Sequence, residues 1–283
     1  MRRPRAIRSQ TMDAAHIPVL IRLWRSRALI QAFAKRDIST RYRSSALGWG
    51  WSLAQPLATL VIFSLVFTLI FKVQAPPLGN GQGSSYAAFF FTGLVTWNLF
   101  ASLQPLTMNT LKSVGELLRK VHFPAWTPLI GAQLVQLVQV LLEVAVLMGL
   151  LLLLRNVGWT WLLAIPILIG TMLFAQGIGM VLALVNAKAG DVMYIVTVGL
   201  GALYFLTPIL YPMSLLDGQN SWLVAVVKLN PMSWYVQAMH DVMYSLVAPP
   251  ALEIALLVIG GGLTFWLGLA IFDRFGRDVG EQL

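Results

Sequence analysis

Long apolar runs that contain no charged residue limit the folds open to this chain. The first run extends from Leu53 to Phe71 without a charge. A helix rises about 1.5 Å per residue, so about 20 apolar residues cross the roughly 30 Å hydrocarbon core of a bilayer. Charged residues make up only 11% of the chain, whereas soluble domains carry about 25%. The sequence therefore predicts an all-α integral membrane protein.

Six apolar runs, four of them without any charged residue, predict six transmembrane helices separated by short polar segments. The predicted spans are 53–71, 86–103, 129–154, 161–185, 192–210 and 252–272. The segment 213–250, after the fifth span, mixes charged residues with tryptophan and tyrosine and is interrupted by Pro231. We expect it to form short re-entrant helices at the external face. The chain then divides into a basic tail with an amphipathic interface helix (1–48), a transmembrane domain (49–272) and a second tail (273–283).

The basic residues are unevenly distributed and indicate the orientation. Eleven of the 20 lysines and arginines precede Ser44. With six spans, all but three of the 20 fall on the side of both termini, and the exceptions are Lys72, Arg155 and Lys228. Basic residues accumulate in the cytoplasmic segments of membrane proteins. We therefore expect both termini in the cytoplasm, together with the loop 112–128. Five or seven spans would separate the two basic ends.

An arginine-rich helix near the N terminus is expected to lie along the cytoplasmic membrane surface. Between Ile17 and Phe33, apolar residues recur at helical spacing and alternate with Arg22, Arg25 and Arg27. A helix with one apolar and one basic face is typical of the membrane interface. The alternative interpretation is an amphipathic helix packed on another cytoplasmic element.

The sequence offers little for catalysis. It contains no G-x-x-x-x-G-K-[ST] motif, so it has no P-loop with which to hold a nucleotide. It has no cysteine, and its histidines (His16, His122 and His240) fall in separate segments on opposite predicted sides of the membrane. We expect no catalytic residue, no metal site and no cofactor on this chain. Glu143 is the one acid well inside a predicted span, whereas ion-coupled carriers need several, so the energy is expected to come from elsewhere.

Four polar residues share one face of the third span. Gln133, Gln136, Gln139 and Glu143 fall within an arc of about 120 degrees at about 100 degrees per residue. Two interpretations remain open. The side chains form hydrogen bonds across a helix–helix interface, or they line a water-filled face.

Aromatic residues gather in the predicted outer halves of the spans and in the external segment. The set of interest comprises Tyr204, Phe205, Tyr211, Trp234 and Tyr235. Such residues commonly form belts at membrane interfaces. The second interpretation is a path for an uncharged polymer, because the flat C–H faces of sugar rings stack on aromatic rings.

Five stretches, in this order, resemble one known family. They are RDISTRYRSSALGWGWSLAQPL from Arg36, GLVTWNLFASL from Gly93, LLRKVHFPAWTPL from Leu117, YFLTPILYP from Tyr204 and LNPMSWYVQAMH from Leu229. They are similar to the membrane permeases of type-2 ABC transporters that export bacterial cell-surface polysaccharides, namely O-antigen, capsule and teichoic acid. The resemblance extends over about residues 30–272, and its most specific part is the first stretch.

This resemblance implies a homodimer in the bacterial inner membrane. The uneven distribution of the basic residues indicates contact with membrane lipid and not with nucleic acid. Two copies of a separate ABC ATPase would bind ATP and magnesium, which agrees with the missing P-loop. The implied substrate is an undecaprenyl-type lipid-linked polysaccharide such as O-antigen, which would pass through a channel between the protomers lined by the first and fifth spans. Capsule, teichoic acid and a small lipid or drug are alternative substrates. A non-transporting membrane enzyme or scaffold is the alternative class.

The resemblance also assigns roles to residues. The entrance for the substrate headgroup is expected at Arg36, Arg41, Tyr42 and Arg43. Coupling to the ATPase is expected at Arg119, Lys120, Val121, Phe123 and Pro124. The aromatic set would then lie along the channel or its exit. Three positions depart from the family pattern: Gly190 before Asp191, the pair Ala125–Trp126 after Phe123–Pro124, and His240 where arginine is common.

Overall fold

The computed structural model describes residues 19–40, 48–121, 123–216 and 218–276. Extended pairing in these ranges is limited to one isolated antiparallel bridge between Pro77 and Ser84. The α-helices of the described chain are α1 (Val19–Arg25), α2 (Arg27–Thr40), α3 (Trp51–Leu65), α4 (Tyr86–Ser113), α5 (Gly115–Lys120), α6 (Thr127–Leu153), α7 (Ala164–Lys188), α8 (Val192–Leu206), α9 (Ser221–Leu229), α10 (Pro231–Met239) and α11 (Ala251–Phe275). Helical turns of other pitch extend α3 (Val66–Ile70), α7 (Trp159–Leu163) and α10 (His240–Tyr244). The predicted all-α fold class is confirmed for the described residues.

The helix bundle has two ends, which we name by the segments they carry. The outer end holds the loop 71–85, the connection between α6 and α7, and the segment between α8 and α11. The inner end holds α1, α2 and α5, together with the C-terminal ends of α4, α7 and α11. The sequence predicts that the inner end faces the cytoplasm.

The N-terminal amphipathic region contains two helices where the sequence predicted one. α1 and α2 meet at Ser26, and α2 continues to Thr40, seven residues beyond the predicted end at Phe33. Backbone hydrogen bonds cross the junction, from Ser26 N–H to the Arg22 carbonyl (3.1 Å) and from Ile30 N–H to the Ser26 carbonyl (3.0 Å). The predicted end was wrong because the polar residues that follow Phe33 are ordinary helix formers on an exposed face.

Five helical segments of the described chain are long and apolar enough to cross a membrane. They are Trp51–Ile70, Tyr86–Ser113, Thr127–Leu153, Trp159–Lys188 and Ala251–Phe275. They correspond to the predicted spans one to four and six.

The helix at the position of the predicted fifth span is shorter than expected. α8 has 15 residues, which corresponds to about 22 Å and is less than the roughly 30 Å hydrocarbon core. The predicted end at residue 210 was wrong. Thr207 is extended (φ −102°, ψ 137°), because the residue before a proline is disfavoured in the helical region and Pro208 follows. The count of six spans remains a prediction.

α4 is the central helix of the bundle. It packs against α3, α6, α7, α8 and α10, and 78% of the residues in its most apolar stretch are buried. It continues ten residues past the predicted end at Leu103, with Pro105 inside the helix. Its threonines satisfy their hydroxyls within the helix, as when Thr92 donates to the Ala88 carbonyl (2.8 Å) and Thr110 to the Leu106 carbonyl (2.8 Å). This internal pairing lets a relatively polar helix be buried without unpaired hydroxyls.

Glycines join α7 to α11 in the most extensive helix pair of the described chain. We name Gly170, Gly177, Gly261 and Gly268 the glycine spine. A Cβ on Gly177 would overlap the Thr264 carbonyl, and a Cβ on Gly268 would overlap the Gly177 carbonyl. The two backbones are therefore in direct contact, as small residues allow in membrane helix pairs.

Two helices expose most of their surface to the surroundings of the protomer. In α3 and its extension only 6% of the residues in the most apolar stretch are buried. The structure describes every residue of α8, and none of them is buried. The side chains of Tyr194, Ile195 and Val198 are 69–75% exposed. These apolar faces are available to lipid or to another protein chain.

Candidate coupling site at the inner end

Residues 112–128, here called the coupling segment, present a small basic surface. Its helix α5 carries Glu116 in the first turn and Arg119 and Lys120 in the last turn, which matches the helix dipole at both ends. Four of the five predicted coupling residues are exposed: Arg119, Lys120, Val121 and Pro124. His122 lies outside the described residues. The exposed positions are where a partner protein can make contact.

Phe123, the fifth predicted coupling residue, is partly buried against the N-terminal helices. Its ring centroid lies 5.6 Å from that of Phe33 on α2. Phe33 is buried together with Ile30 and Ala34, and this face of α2 packs on α6. Gly131 allows the close approach, because a Cβ there would lie 2.9 Å from the Phe33 Cβ. α2 is thus packed against the inner end of a predicted membrane span, and its position at the membrane surface remains a prediction.

Arg36, the one predicted entrance residue among those described, lies on the same ring. Its guanidinium carbon is 5.1 Å from the Phe33 ring centroid, and it pairs with Asp37 at 2.8 Å. The Arg36 side chain is half exposed, so it can contact a ligand while it stacks on Phe33. Arg41, Tyr42 and Arg43 lie outside the described residues, and their role remains a prediction.

Arg22 forms a contact that the sequence analysis missed. Two of its guanidinium nitrogens bind the two carboxylate oxygens of Asp273 at 2.5 and 2.7 Å, across 251 residues of sequence. The guanidinium carbon also lies 5.7 Å from the ring centroid of Trp126, which is buried. No periodicity links residues so far apart in the chain. The only available signal was Trp126 itself, where the chain departs from the family pattern.

The polar face of α6 is a helix–helix interface. Glu143 is 1% exposed and accepts hydrogen bonds from Asn98 on α4 (3.1 Å) and from Gln139 (3.4 Å). Gln133 donates to the Met172 carbonyl on α7 (3.2 Å). Gln136 is buried on the same face. This burial favours the first of the two interpretations over a water-lined face.

The predicted channel aromatics occupy two places at the outer end. Tyr204 packs edge-on against Phe63, Trp97 and Phe205, and the Tyr211 hydroxyl donates to the Phe205 carbonyl (3.2 Å). Phe205 is exposed, whereas Tyr204 and Tyr211 are partly buried against the core.

Trp234 and Tyr235, the other two members of the set, are neighbours on α10 that differ in burial. Trp234 is exposed and its indole N–H donates to the Lys228 carbonyl (2.8 Å). Tyr235 is buried, lies 5.5 Å from Phe174 and donates to the Leu257 carbonyl (2.7 Å). The structure therefore places Tyr235 in the core of the protomer, and the path proposed for the set depends on the other four residues.

The external segment is tied to the outer end by buried polar contacts that the sequence analysis also missed. Asn156 donates to the carbonyls of Met243 (3.1 Å) and Tyr244 (2.9 Å), and its oxygen accepts from Asn80 N–H (3.1 Å). The Tyr244 hydroxyl donates to the Pro76 carbonyl (2.6 Å). His240, buried, stacks on Phe89 at 4.0 Å. We name these contacts the outer cap.

The helical bundle and its exposed coupling segment define a membrane-embedded protein with an accessible surface at one end, the class to which transport subunits belong. The sequence matches the model of the family described as ABC-2 type transporter over residues 28–244, and the chain belongs to this family. The predicted family is thereby confirmed.

Curated relatives match along nearly their whole length. An "O-antigen export system permease protein RfbA" from Klebsiella pneumoniae is 28% identical over 260 residues, covering 90% of this chain and 95% of that protein. A protein of the same name from Myxococcus xanthus is 25% identical over 264 residues, covering 92% and 97%. A "Polysialic acid transport protein KpsM" from Escherichia coli is 22% identical over 255 residues, covering 86% and 92%.

Proposed function

We propose that this chain is the membrane permease subunit of an ATP-driven exporter that moves a lipid-linked polysaccharide of the O-antigen type across the bacterial inner membrane. The observation that carries this proposal is the full-length match to relatives named as O-antigen export permeases. The absence of a P-loop in the sequence assigns ATP and magnesium to a separate ATPase, present in two copies. The exposed residues of the coupling segment are the surface on which it would dock.

The exposed faces of α3 and α8 support a homodimer with the channel between protomers. Without a partner, both apolar faces would lie entirely against lipid, with Val61 on α3 and Tyr194 on α8 among their exposed residues. In a dimer, the aromatic residues at the outer end of α8 would line the exit of the polymer. The charge distribution supports an inner end in the cytoplasm, so Arg36, Arg41, Tyr42 and Arg43 would receive the anionic end of the lipid carrier.

A reconstitution experiment tests the proposed function. The chain and its ATPase are placed in lipid vesicles with a lipid-linked O-antigen, and polymer that has crossed the membrane is measured. We expect transfer only with hydrolysable ATP and with both subunits present. Transfer that continued at the same rate without ATP would contradict the proposal.

A paired substitution tests the entrance. Replacing Arg41 and Arg43 with alanine should reduce export at least about tenfold, since a desolvated charge pair contributes roughly 1.4 kcal/mol or more to binding. The control replaces Arg2 and Arg3, which carry the same charge in the N-terminal tail. Normal export by the Arg41/Arg43 variant, with dimer assembly intact, would rule out this entrance.

Export of a capsular polymer is the second candidate. It is favoured by the similarity to the polysialic acid transport protein, although at a lower identity than that of the O-antigen permeases. The same vesicles discriminate the two, because the preferred substrate will compete with the other for transfer.

A further inference from the structure

We propose that α1, α2 and the coupling segment move as one rigid unit, here called the inner clasp, in which Arg22 and Phe33 are positioning residues. They would transmit a displacement of the coupling segment to α2 and its Arg36, and to the end of α11. This inference rests on the proposed function, because it names the residues through which an ATPase would act on the substrate entrance.

The first link of the inner clasp is the Arg22 guanidinium. It binds both oxygens of Asp273, and a two-pronged contact of this kind fixes orientation as well as distance. The same group lies over Trp126, the buried indole at the end of the coupling segment. Arg22 therefore joins α1 to α11 and to the coupling segment at one point.

The second link is the Phe33 ring. It contacts Phe123 on one side and the Arg36 guanidinium on another, while its own helix is seated on α6. A predicted coupling residue and a predicted entrance residue thus share a single buried side chain. The Phe33 ring therefore connects the ATPase docking surface to the substrate entrance through direct side-chain contacts.

The two links constrain the coupling segment from both sides. Phe123 and Trp126 are three residues apart, and each contacts a different N-terminal helix. Packed side chains transmit small displacements because close-packed contacts leave little room to absorb them. A shift of the coupling segment must therefore displace α1 and α2 together. Through Asp273 the shift also reaches α11, whose backbone touches that of α7 along the glycine spine.

The first experiment measures coupling in reconstituted vesicles as polymer exported per ATP hydrolysed. Arg22→Gln, Asp273→Asn and Phe33→Ala should retain ATP hydrolysis while this ratio falls at least about fivefold. Arg22→Lys should also lower it, because lysine cannot form the two-pronged contact. Arg25→Gln is the matched control, with the same charge removed from an exposed position on the same helix, and should leave the ratio unchanged.

A charge exchange separates a positioning role from a general loss of stability. The double variant Arg22→Asp with Asp273→Arg restores an ion pair in the same place and should recover most of the lost coupling. An unchanged ratio in Arg22→Gln and Phe33→Ala would overturn the inference while the proposed function stands. If Arg22→Gln does not assemble, the double variant Arg22→Asp with Asp273→Arg tests the positioning role of Arg22. Recovery supports the inner clasp, and a folded but uncoupled double variant overturns the role of Arg22.

The second experiment needs no transport. The chain has no cysteine, so spin labels can be attached at Gln31→Cys on α2 and Lys120→Cys on α5, both exposed positions. In lipid nanodiscs the distance between the labels should be narrowly distributed in the parent and in Arg25→Gln. It should broaden when Arg22→Gln and Phe33→Ala are combined. An equally narrow distance distribution in that double variant would overturn the inner clasp, whether or not polymer is exported. A failure of every variant and of the parent to export polymer would instead contradict the proposed function.

Discussion

Asn156 holds three separate parts of the outer end together with one side chain. It is fully buried, and all of its contacts are to backbone groups: Asn80 N–H and the carbonyls of Met243 and Tyr244. Replacing it with alanine removes the partner of the part-buried Asn80 N–H and of the Met243 carbonyl, whereas the Tyr244 carbonyl keeps the hydrogen bond from Gly79 N–H (3.0 Å). We expect Asn156→Ala to lower the free energy of unfolding by about 2 to 4 kcal/mol, measured as thermal unfolding in detergent.

The control for this prediction is Asn109→Ala. Asn109 is exposed on α4, so its loss should change stability by less than about 0.5 kcal/mol. Equal stability of the two variants would mean that the outer cap does not hold the external segment.

His240 makes the outer cap sensitive to acid. The Phe89 carbonyl can only accept a hydrogen bond, so His240 Nε2 is the donor at 3.0 Å. Nδ1 is buried and has no hydrogen-bond partner among the described residues, which disfavours the protonated ring. Burial lowers the pKa of His240 from 6.5 to about 4. The unfolded chain therefore binds a proton below pH 6.5 that the folded chain does not, and stability falls as the pH drops from about 6.5 to 4.

We expect this acid sensitivity to shrink in His240→Gln, whose side-chain amide can still donate to the Phe89 carbonyl. Between pH 7 and pH 4 the parent should lose up to about 3 kcal/mol more stability than the variant. Asp241, whose pKa is raised by burial to about 6, titrates in the opposite sense but is present in both proteins and cancels in the comparison. Parallel curves of unfolding temperature against pH would contradict the assignment.

The contact between α7 and α11 depends on the absence of side chains at four positions. Gly177→Ala places a methyl group onto the Thr264 carbonyl, so the helices must move apart. We expect a loss of about 1 to 3 kcal/mol, and a larger loss for Gly177→Leu.

Gly262→Ala provides the matched control within α11. Nothing lies within 4 Å of a Cβ at Gly262, and alanine is the better helix former by about 1 kcal/mol. This variant should be as stable as the parent or more stable. A destabilised Gly262→Ala would show that any methyl group on α11 is harmful, and the spine would lose its significance. Unfolding in detergent, followed by helix content, measures both variants.

The helices themselves were largely predictable from sequence, and their partners were not. Apolar runs located five crossing helices to within a few residues at most ends, because length and hydropathy are local properties. The end of α4 was missed because Gln104 and Pro105 look like a boundary in sequence, while in the bundle the Gln104 amide donates to carbonyls of Phe100 and Ala175. The spacing of seven between Gly170 and Gly177, and between Gly261 and Gly268, was visible in the sequence. Which helix each pair meets was not.

In the coupling site, too, local features were predictable from sequence and contacts between distant segments were not. The family resemblance predicted an accessible coupling segment, and the exposure of Lys120 and Pro124 agrees with that. The contact of Phe123 with Phe33 and the pair Arg22–Asp273 depend on how distant segments fold together. No pattern within a single helix encodes such contacts.

At the scale of the whole molecule, the number of crossings can be decided by chemical labelling. Single cysteines are introduced at the exposed positions Gln82 and Gln219 of the outer end and at Ser113 and Ala189 of the inner end. A reagent that cannot cross the membrane is added to spheroplasts. We expect labelling at 82 and 219 and none at 113 and 189 until the cells are lysed.

Comparing positions 189 and 219 shows whether α8 crosses the membrane, because these positions flank α8. If α8 does not cross the membrane, both will be labelled alike, and the count of six spans will be wrong. Labelling of Ser113→Cys before the spheroplasts are lysed would instead show that the predicted orientation is wrong.

The burial of α4 has a consequence for how the protein is made. α4 is the second apolar segment to leave the ribosome, yet most of its surface is covered by α6 and α7, which are synthesised later. Until then its threonines, Asn98 and Gln104 would face lipid or the insertion machinery. We therefore expect the newly made segment to stay beside the translocon, or under the protection of an insertase, until α7 emerges. Chains truncated before α7 should be the ones that quality-control proteases remove.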